Sequence, residues 1–401
     1  MRIPSLIILA TTAAWTTTAT AGSSEMIAEL GLEATQARLA SQPATTASDQ
    51  LALGAVRFLR GIEKTLQTRW QHNASIDDFG LPVLRLPFSP NPDPKPFEAS
   101  LIAGLFEELD RDMQASRDAL SLVGDDMGAA LELDLRDIWF DVNMNGNRDE
   151  GEDLMVIGAN MLLPGRGLAN DAGLPVSLAV RFDRADVDWL VAYTRLLSGF
   201  SELVLAFDPT EPIETVLSAH ERMAAIMGDT QPGNAMNFQF GNWVDIFAMV
   251  YGSLNKTPDV THLAAARDHW LAMIDANRRF WTLVALETDN DREWIPNDSQ
   301  DAALGFELLP GTGASWLSVL EDGEKVLNGE LLVSFWRISP AGGVNVKRLF
   351  DDPPAVDIVG WVQGWGLVDY MERGPTISAD NLRQFDALVS GNTGLMAFLL
   401  N

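Results

Sequence analysis

Along most of this 401-residue chain, apolar residues recur at the three-to-four-residue spacing of an α-helix. The period changes to strand-like alternation at Leu131, Leu133 and Leu135. Each helix patterned this way must bury one stripe against a neighbour, so the chain is predicted to be mainly α, a multi-helix globular body. The alternating "LELDLRDIWF" (131–140) and "PVSLAVRF" (175–182) predict two strands in a small β-containing insertion over residues 129–182.

Residues 22–128 read as an N-terminal helical part. "SEMIAELGLEATQARLAS" and "SDQLALGAVRFLRGIEKTLQTRW" predict a helical hairpin, and a third helix covers about 97–123. Between them, residues 76–96 hold six prolines, which excludes a long helix or a central strand and leaves an extended arm. Residues 183–401 read as a C-terminal helical part continuous with the first. Helices are expected at 184–207, 210–227, 240–254, 260–287, 314–328, 355–372 and 378–390, with Ser378 as the last N-cap and one strand at "ELLVSFWRIS". Trp189, Phe200 and Asp208 are echoed at equal spacing by Trp270, Trp281 and Asp289, which raises a duplicated hairpin beside chance resemblance of amphipathic helices.

The N-terminus carries Arg2, an apolar stretch over residues 3–15, and Ala19, Thr20 and Ala21. That layout predicts a signal peptide over residues 1–21 and a soluble periplasmic or secreted product. The apolar core is too short to span a bilayer, and no other segment predicts a span. The absence of Cys excludes disulfides, lipid attachment, thiol chemistry and Cys-ligated metals. Acidic residues outnumber basic ones by 56 to 28, a balance that favours solubility and repels nucleic acid and anionic membranes. Cations, basic partners and neutral ligands stay open.

"DVNMNGNRDEGE", residues 141–152, offers oxygens at positions 1, 3, 5, 7, 9 and 12 of a twelve-residue loop: Asp141, Asn143, Asn145, the Asn147 carbonyl, Asp149 and Glu152. Gly146 stands at position 6, where the backbone must turn sharply. Over these twelve residues the chain resembles an EF-hand-type calcium loop, and the strand-like flank makes it similar also to calcium loops in bacterial surface adhesin repeats. The resemblance implies Ca2+ bound by those six residues. Three carboxylates and two neutral amides predict an affinity on the order of 10 micromolar to 1 millimolar, as in extracellular modules. A plain Asx-rich turn uses the same residue types. An ion in a full loop is structural in preference to catalytic, because its ligands leave little room for substrate.

A second acidic stretch, residues 287–301, gathers Glu287, Asp289, Asp291, Glu293, Asp298 and Asp301 around Arg292, beside Trp294. Glu287, Asp289, Asp291 and Glu293 are the candidates for a catalytic carboxylate pair of the glycan-cleaving kind. The plainer reading is a solvated loop paired with Arg278 or Arg279. Trp361 and Trp365, four apart, share a face if helical, and read as core before sugar platform. His262 and His269 stand two helical turns apart, about 10 Å, too far to share one metal. No serine-hydrolase, zincin, Walker or dinucleotide motif is present. Two functions follow: an exported calcium-binding protein acting by binding or assembly with a protein or glycan partner, or a secreted hydrolase using the 287–301 cluster.

Overall fold

The computed structural model describes residues 22–74, 84, 86–158, 178–228, 235–389, 391 and 393–400. The expected signal peptide lies outside these residues, as do most of the N-terminal half of the Pro-rich arm and the start of the 175–182 strand. The fold is mainly α. Helix α1 (Ser23–Ser41) and α2 (Ala47–Gln71) form the expected hairpin. Thr46 opens α2 with a capping box: its hydroxyl accepts from the Asp49 N–H (3.1 Å) while the Asp49 carboxylate accepts from the Thr46 N–H (3.0 Å). Helix α3 (Leu101–Leu120) packs against α2.

Strand β1 (Leu131–Asp134) and β2 (Ala179–Phe182) are antiparallel, with Leu131 opposite Phe182 and Leu133 opposite Val180. As the alternation requires, Leu131, Leu133 and Leu135 are buried. The 141–152 loop and a one-turn helix α4 (Leu154–Ile157) follow β1.

Helix α5 (Arg184–Phe207) packs on α8 (Val260–Val284) at the centre of the molecule. The two run antiparallel: Asp188 meets Arg279, Arg195 meets His269 and Glu202 meets His262. Among the described residues α5 is long and apolar enough to cross a membrane, a property that reading for uninterrupted apolar runs had missed; half of that window is buried here, with α3 and α8 packed on the helix. Between them lie α6 (Thr210–Met227) and α7 (Ala235–Leu254), packed on each other as a hairpin. One buried cluster runs from Ile27 of α1 through Phe280 of α8 to Leu400 of the last helix.

The C-terminal third departs from expectation. Helix α9 (Thr312–Leu327) forms, but "ELLVSFWRIS" supplies only the two-residue strand β3 (Val333–Ser334), joined by β4 (Gly342–Val344) and β5 (Met371–Arg373) in a second small sheet. Strand β4 is glycine-led for a steric reason: a Cβ on Gly342 would lie 1.9 Å from the Glu372 carbonyl oxygen. After α10 (Val346–Asp351), the expected 355–372 helix is only α11 (Ile358–Gln363), because Gly364 turns left-handed at φ 117 and ends it. Trp361 and Trp365 therefore share no helical face, and Trp365 is exposed, its indole N–H donating to Asp357 (3.1 Å), rather than core. Helix α12 (Asp380–Leu388) precedes α13 (Thr393–Leu400), and the Ser378 hydroxyl accepts from the Asp380 N–H (3.2 Å), one residue ahead of the cap position.

The echo between α5 and α8 falls on two helices that are packed antiparallel on each other. Asp208 caps the end of α5, and Asp289 lies five residues beyond α8.

Trp270 of α8 lies over Gly199 of α5, where an added Cβ would sit 2.3 Å from the indole nitrogen. Gly199→Ala is expected to destabilise the fold by about 1–3 kcal/mol through overpacking. Gly104→Ala, in α3 with open space around it, is expected to stabilise by about 0.5–1 kcal/mol. Urea denaturation of both variants checks the contrast.

Candidate functional site

The 141–152 loop leaves β1 through Trp139, whose indole N–H donates to the Ile27 carbonyl of α1 (2.9 Å). Gly31 accommodates that ring by breaking the helix at φ 75. Trp139 pairs with Asp153 in a bridge, so the loop springs from an antiparallel pair rather than from an entering helix. Inside the loop, the Asp141 carboxylate accepts from the N–H groups of Asn145 (3.0 Å) and Gly146 (2.9 Å), wrapping the chain around position 1. Met144 and Gly146 supply the left-handed turns, at φ 60 and 74.

The buried Glu152 carboxylate accepts from the N–H groups of Val142 (2.9 Å), Asn143 (3.3 Å) and Asp149 (3.0 Å). Burial raises its proton affinity above the ordinary range, and those three donors oppose the shift. The Asn143 and Asn145 amides both donate to Asp149 Oδ2, each at 2.7 Å, and hold its pKa down. The Asn147 N–H donates to Asn145 Oδ1 (2.7 Å). The Asn143 and Asn145 side chains are thus tied to Asp149, while the Asp141 and Glu152 carboxylates hold backbone N–H groups of the loop. This donor set fits a hard cation, with the Asn147 carbonyl as the sixth group; admitting one requires the two amides to turn their oxygens inward in place of the N–H groups now on Asp149.

The loop is fastened to α2. Glu63 accepts from the Asp141 N–H (2.7 Å) and Gln67 donates to the Asp141 carbonyl (2.8 Å). Arg60 donates to Glu63 (2.7 Å), Gln67 (3.0 Å) and Glu33 of α1 (2.6 Å). Desolvation pushes Glu63 up to about 7 despite Arg60.

The acidic 287–301 stretch is not a free loop. Glu293 bridges to both Arg181 of β2 and Ala302, making this segment an added edge of the small sheet. Asn297 donates to the Val284 carbonyl at the end of α8 (2.9 Å) and to the Glu287 carbonyl (3.2 Å). Arg278 and Arg279 turn elsewhere, to Asp275 and Glu324 and to Asp188; the cations near the stretch are Arg181, 3.9 Å from Asp289 and 3.7 Å from Asp291, and Arg292.

Asp289 and Asp291 are exposed, whereas Glu293 is buried and Glu287 half-buried. Glu287 is pushed up to about 7, first by desolvation and then by Asp183, Glu293 and Asp289. Glu293 is raised by desolvation and by Asp289 and Asp183. Asp186 of α5 completes this knot. It is fully desolvated beside Asp183, Glu287 and Glu293, which drives its proton affinity well above the ordinary range. Sequence reasoning missed Asp183 and Asp186, because the pair reads as an ordinary capping box; the Asp186 carboxylate does accept from the Asp183 N–H (2.9 Å).

A third group also escaped the sequence, since its members sit on three helices: Asp110 of α3, Glu202 of α5 and His269 of α8 offer ligand atoms within 4.8 Å of one another. Two arginines crowd it, Arg195 at 3.1 Å from His269 Nδ1 and Arg117 at 4.0 Å from Asp110. Desolvation and those cations push His269 down to about 4, so the imidazole is neutral at pH 7. The arginines already balance the two carboxylates, which explains the group as a polar brace between helices. His262 binds Glu202 (2.6 Å) and stays outside the triad.

Comparison with protein families, curated proteins and solved structures found no match for this chain.

A carboxyl group whose pKa is higher folded than unfolded contributes stability that is full below its unfolded pKa and is lost as pH rises through its folded pKa. For Glu287 that window runs from 4.5 to about 7. Glu287→Gln is therefore expected to melt higher than the native chain at pH 8, with the gap closing by pH 4.5. Parallel melting curves across that range would remove Glu287 as a proton-holding group.

Proposed function

We propose that this chain is an exported calcium-binding protein in which the ion is a structural fastener, and that it acts by binding or assembly. The observation that carries the calcium reading is the loop's hydrogen-bond pattern, with Asp141 and Glu152 drawing the chain in from both ends around Asn143, Asn145 and Asp149. Export rests on the layout of residues 1–21.

The α6–α7 hairpin supports the assembly half. Ile226, Phe240, Trp243 and Phe247 are 85%, 69%, 56% and 65% exposed, and Met223, Met227, Val244 and Tyr251 extend the same surface. Exposed apolar patches of this kind mark contact surfaces. Helices that lie on membranes carry Lys and Arg along their polar side; α7 has none and α6 has Arg222 alone. A protein face suits this surface better than an anionic lipid layer, and a second copy of the chain is the simplest such partner.

Calorimetric titration is expected to find one calcium site, and Asp141→Ala with Glu152→Ala to abolish it. At calcium one hundred times its Kd, the ion should add about 2.7 kcal/mol of stability; identical melts in calcium and chelator would reject the structural role. By light scattering at tens of micromolar, the native chain is expected to be dimeric and Trp243→Glu with Phe247→Glu monomeric. A monomeric native chain ends the self-assembly reading.

The hydrolase reading is favoured by one observation, Glu287 and Glu293 sharing a desolvated knot that raises both, as a general acid requires. Loss of any glycan-cleaving activity in Glu287→Gln would support it; Asp289 and Asp291, the other two candidates, are exposed.

A further inference from the structure

A cavity of about 200 Å³ lies between α2, the β1–β2 sheet and α5. Among the described residues its wall is aliphatic and aromatic, with Phe58, Leu133, Phe182, Trp189 and Trp294 in the lining, and Asp186 is the one carboxyl-bearing residue. Protein cores seldom leave a void larger than a water molecule, because an empty cavity costs stability in proportion to its volume. Apolar cavities of about 150 Å³ stay dry and take up a molecule the size of benzene.

The polar side chains among the described lining residues are Asp186, Trp189, Tyr193 and Trp294. The Asp186 carboxyl keeps one oxygen on the Asp183 N–H at 2.9 Å, and the Trp189 indole N–H donates to the Leu399 carbonyl (2.9 Å). The surface left to a guest is apolar almost throughout.

We infer that this cavity binds an uncharged, mainly apolar molecule, on the order of six to ten non-hydrogen atoms. Asp186 already sits beside Asp183, Glu287 and Glu293, and an anionic headgroup would add to that like-charge crowding. A charged headgroup of either sign would have to shed its water against an apolar wall. The inference is independent of the calcium loop.

Titration of the mature chain with 1-octanol, octanoate and octylamine at pH 7, by calorimetry and tryptophan fluorescence, tests it. Octanol is expected to bind and octanoate to bind at least tenfold more weakly. Ala55→Leu and Leu133→Phe, which fill the cavity from opposite walls, are expected to lose octanol binding at least tenfold; circular dichroism identifies a variant that remains folded, and either one suffices. No binding of octanol near its solubility limit, unchanged binding in a folded filled variant, or octanoate binding as well as octanol would overturn the assignment. Octylamine binding more tightly than octanol would overturn the uncharged guest.

Discussion

The contact on which this architecture turns is the buried polar joint of Arg60, Glu63 and Gln67 with the backbone of Asp141. It fixes where the 141–152 loop begins, on the face of the second helix rather than in open solvent. Such a joint is unforgiving. Glu63 and Arg60 are both buried, so removing Arg60 takes from the Glu63 carboxyl its neighbouring cation, which costs several kcal/mol in comparable pairs, whereas Arg60 without Glu63 keeps Glu33 and Gln67. Glu33 extends the joint to α1, and Trp139 pins the same strand to the kink at Gly31. Loop, hairpin and small sheet are held as one piece before any ion is considered.

The arginines explain a compositional oddity, the scarcity of Lys beside Arg. Arg60, Arg69 and Arg117 are buried, and each spreads its guanidinium over several acceptors: Arg69 reaches the carbonyls of Ala74 and Leu86, and Arg117 reaches the Thr194 carbonyl, Ser198 and Gln114. A planar fork satisfies several partners at fixed angles, whereas an ammonium on a flexible stem does not. Burial pushes Arg117 down to about 10, which still leaves it charged at neutral pH. Among the described residues these three arginines are the buried cations, and the other basic side chains lie partly or fully at the surface.

Periodicity made the central helices legible. Residues 184–207 and 210–227 form helices with the expected bounds, because amphipathic stripes and an Asp183 cap agree there. The same reasoning failed over 355–372, where apolar spacing looked helical but Gly364 adopts a conformation that ends a helix. It also failed for the second sheet, whose strands of two or three residues are too short to show a period. The loop's candidate oxygens were readable because all six positions lie within twelve residues. The knot around Asp186 and the brace of Asp110, Glu202 and His269 were not, since each is assembled by packing between separate elements.

The loop and the cavity are joined by shared residues rather than by distance. Ile138, Phe140 and Leu154 line the cavity, and they are also the two ends of the loop. The Phe140 N–H donates to the Glu152 carbonyl (2.9 Å) and the Leu154 N–H donates to the Ile138 carbonyl (3.0 Å), so the loop's closure and the cavity's wall are the same pair of hydrogen bonds. An ion that draws Asp141 and Glu152 together would hold that wall in register, and a guest that fills the cavity would press the same side chains outward against the loop. The pull of an ion and the push of a guest would then act on one pair of hydrogen bonds, so occupancy of either place would be felt at the other through a few packed residues of one small sheet.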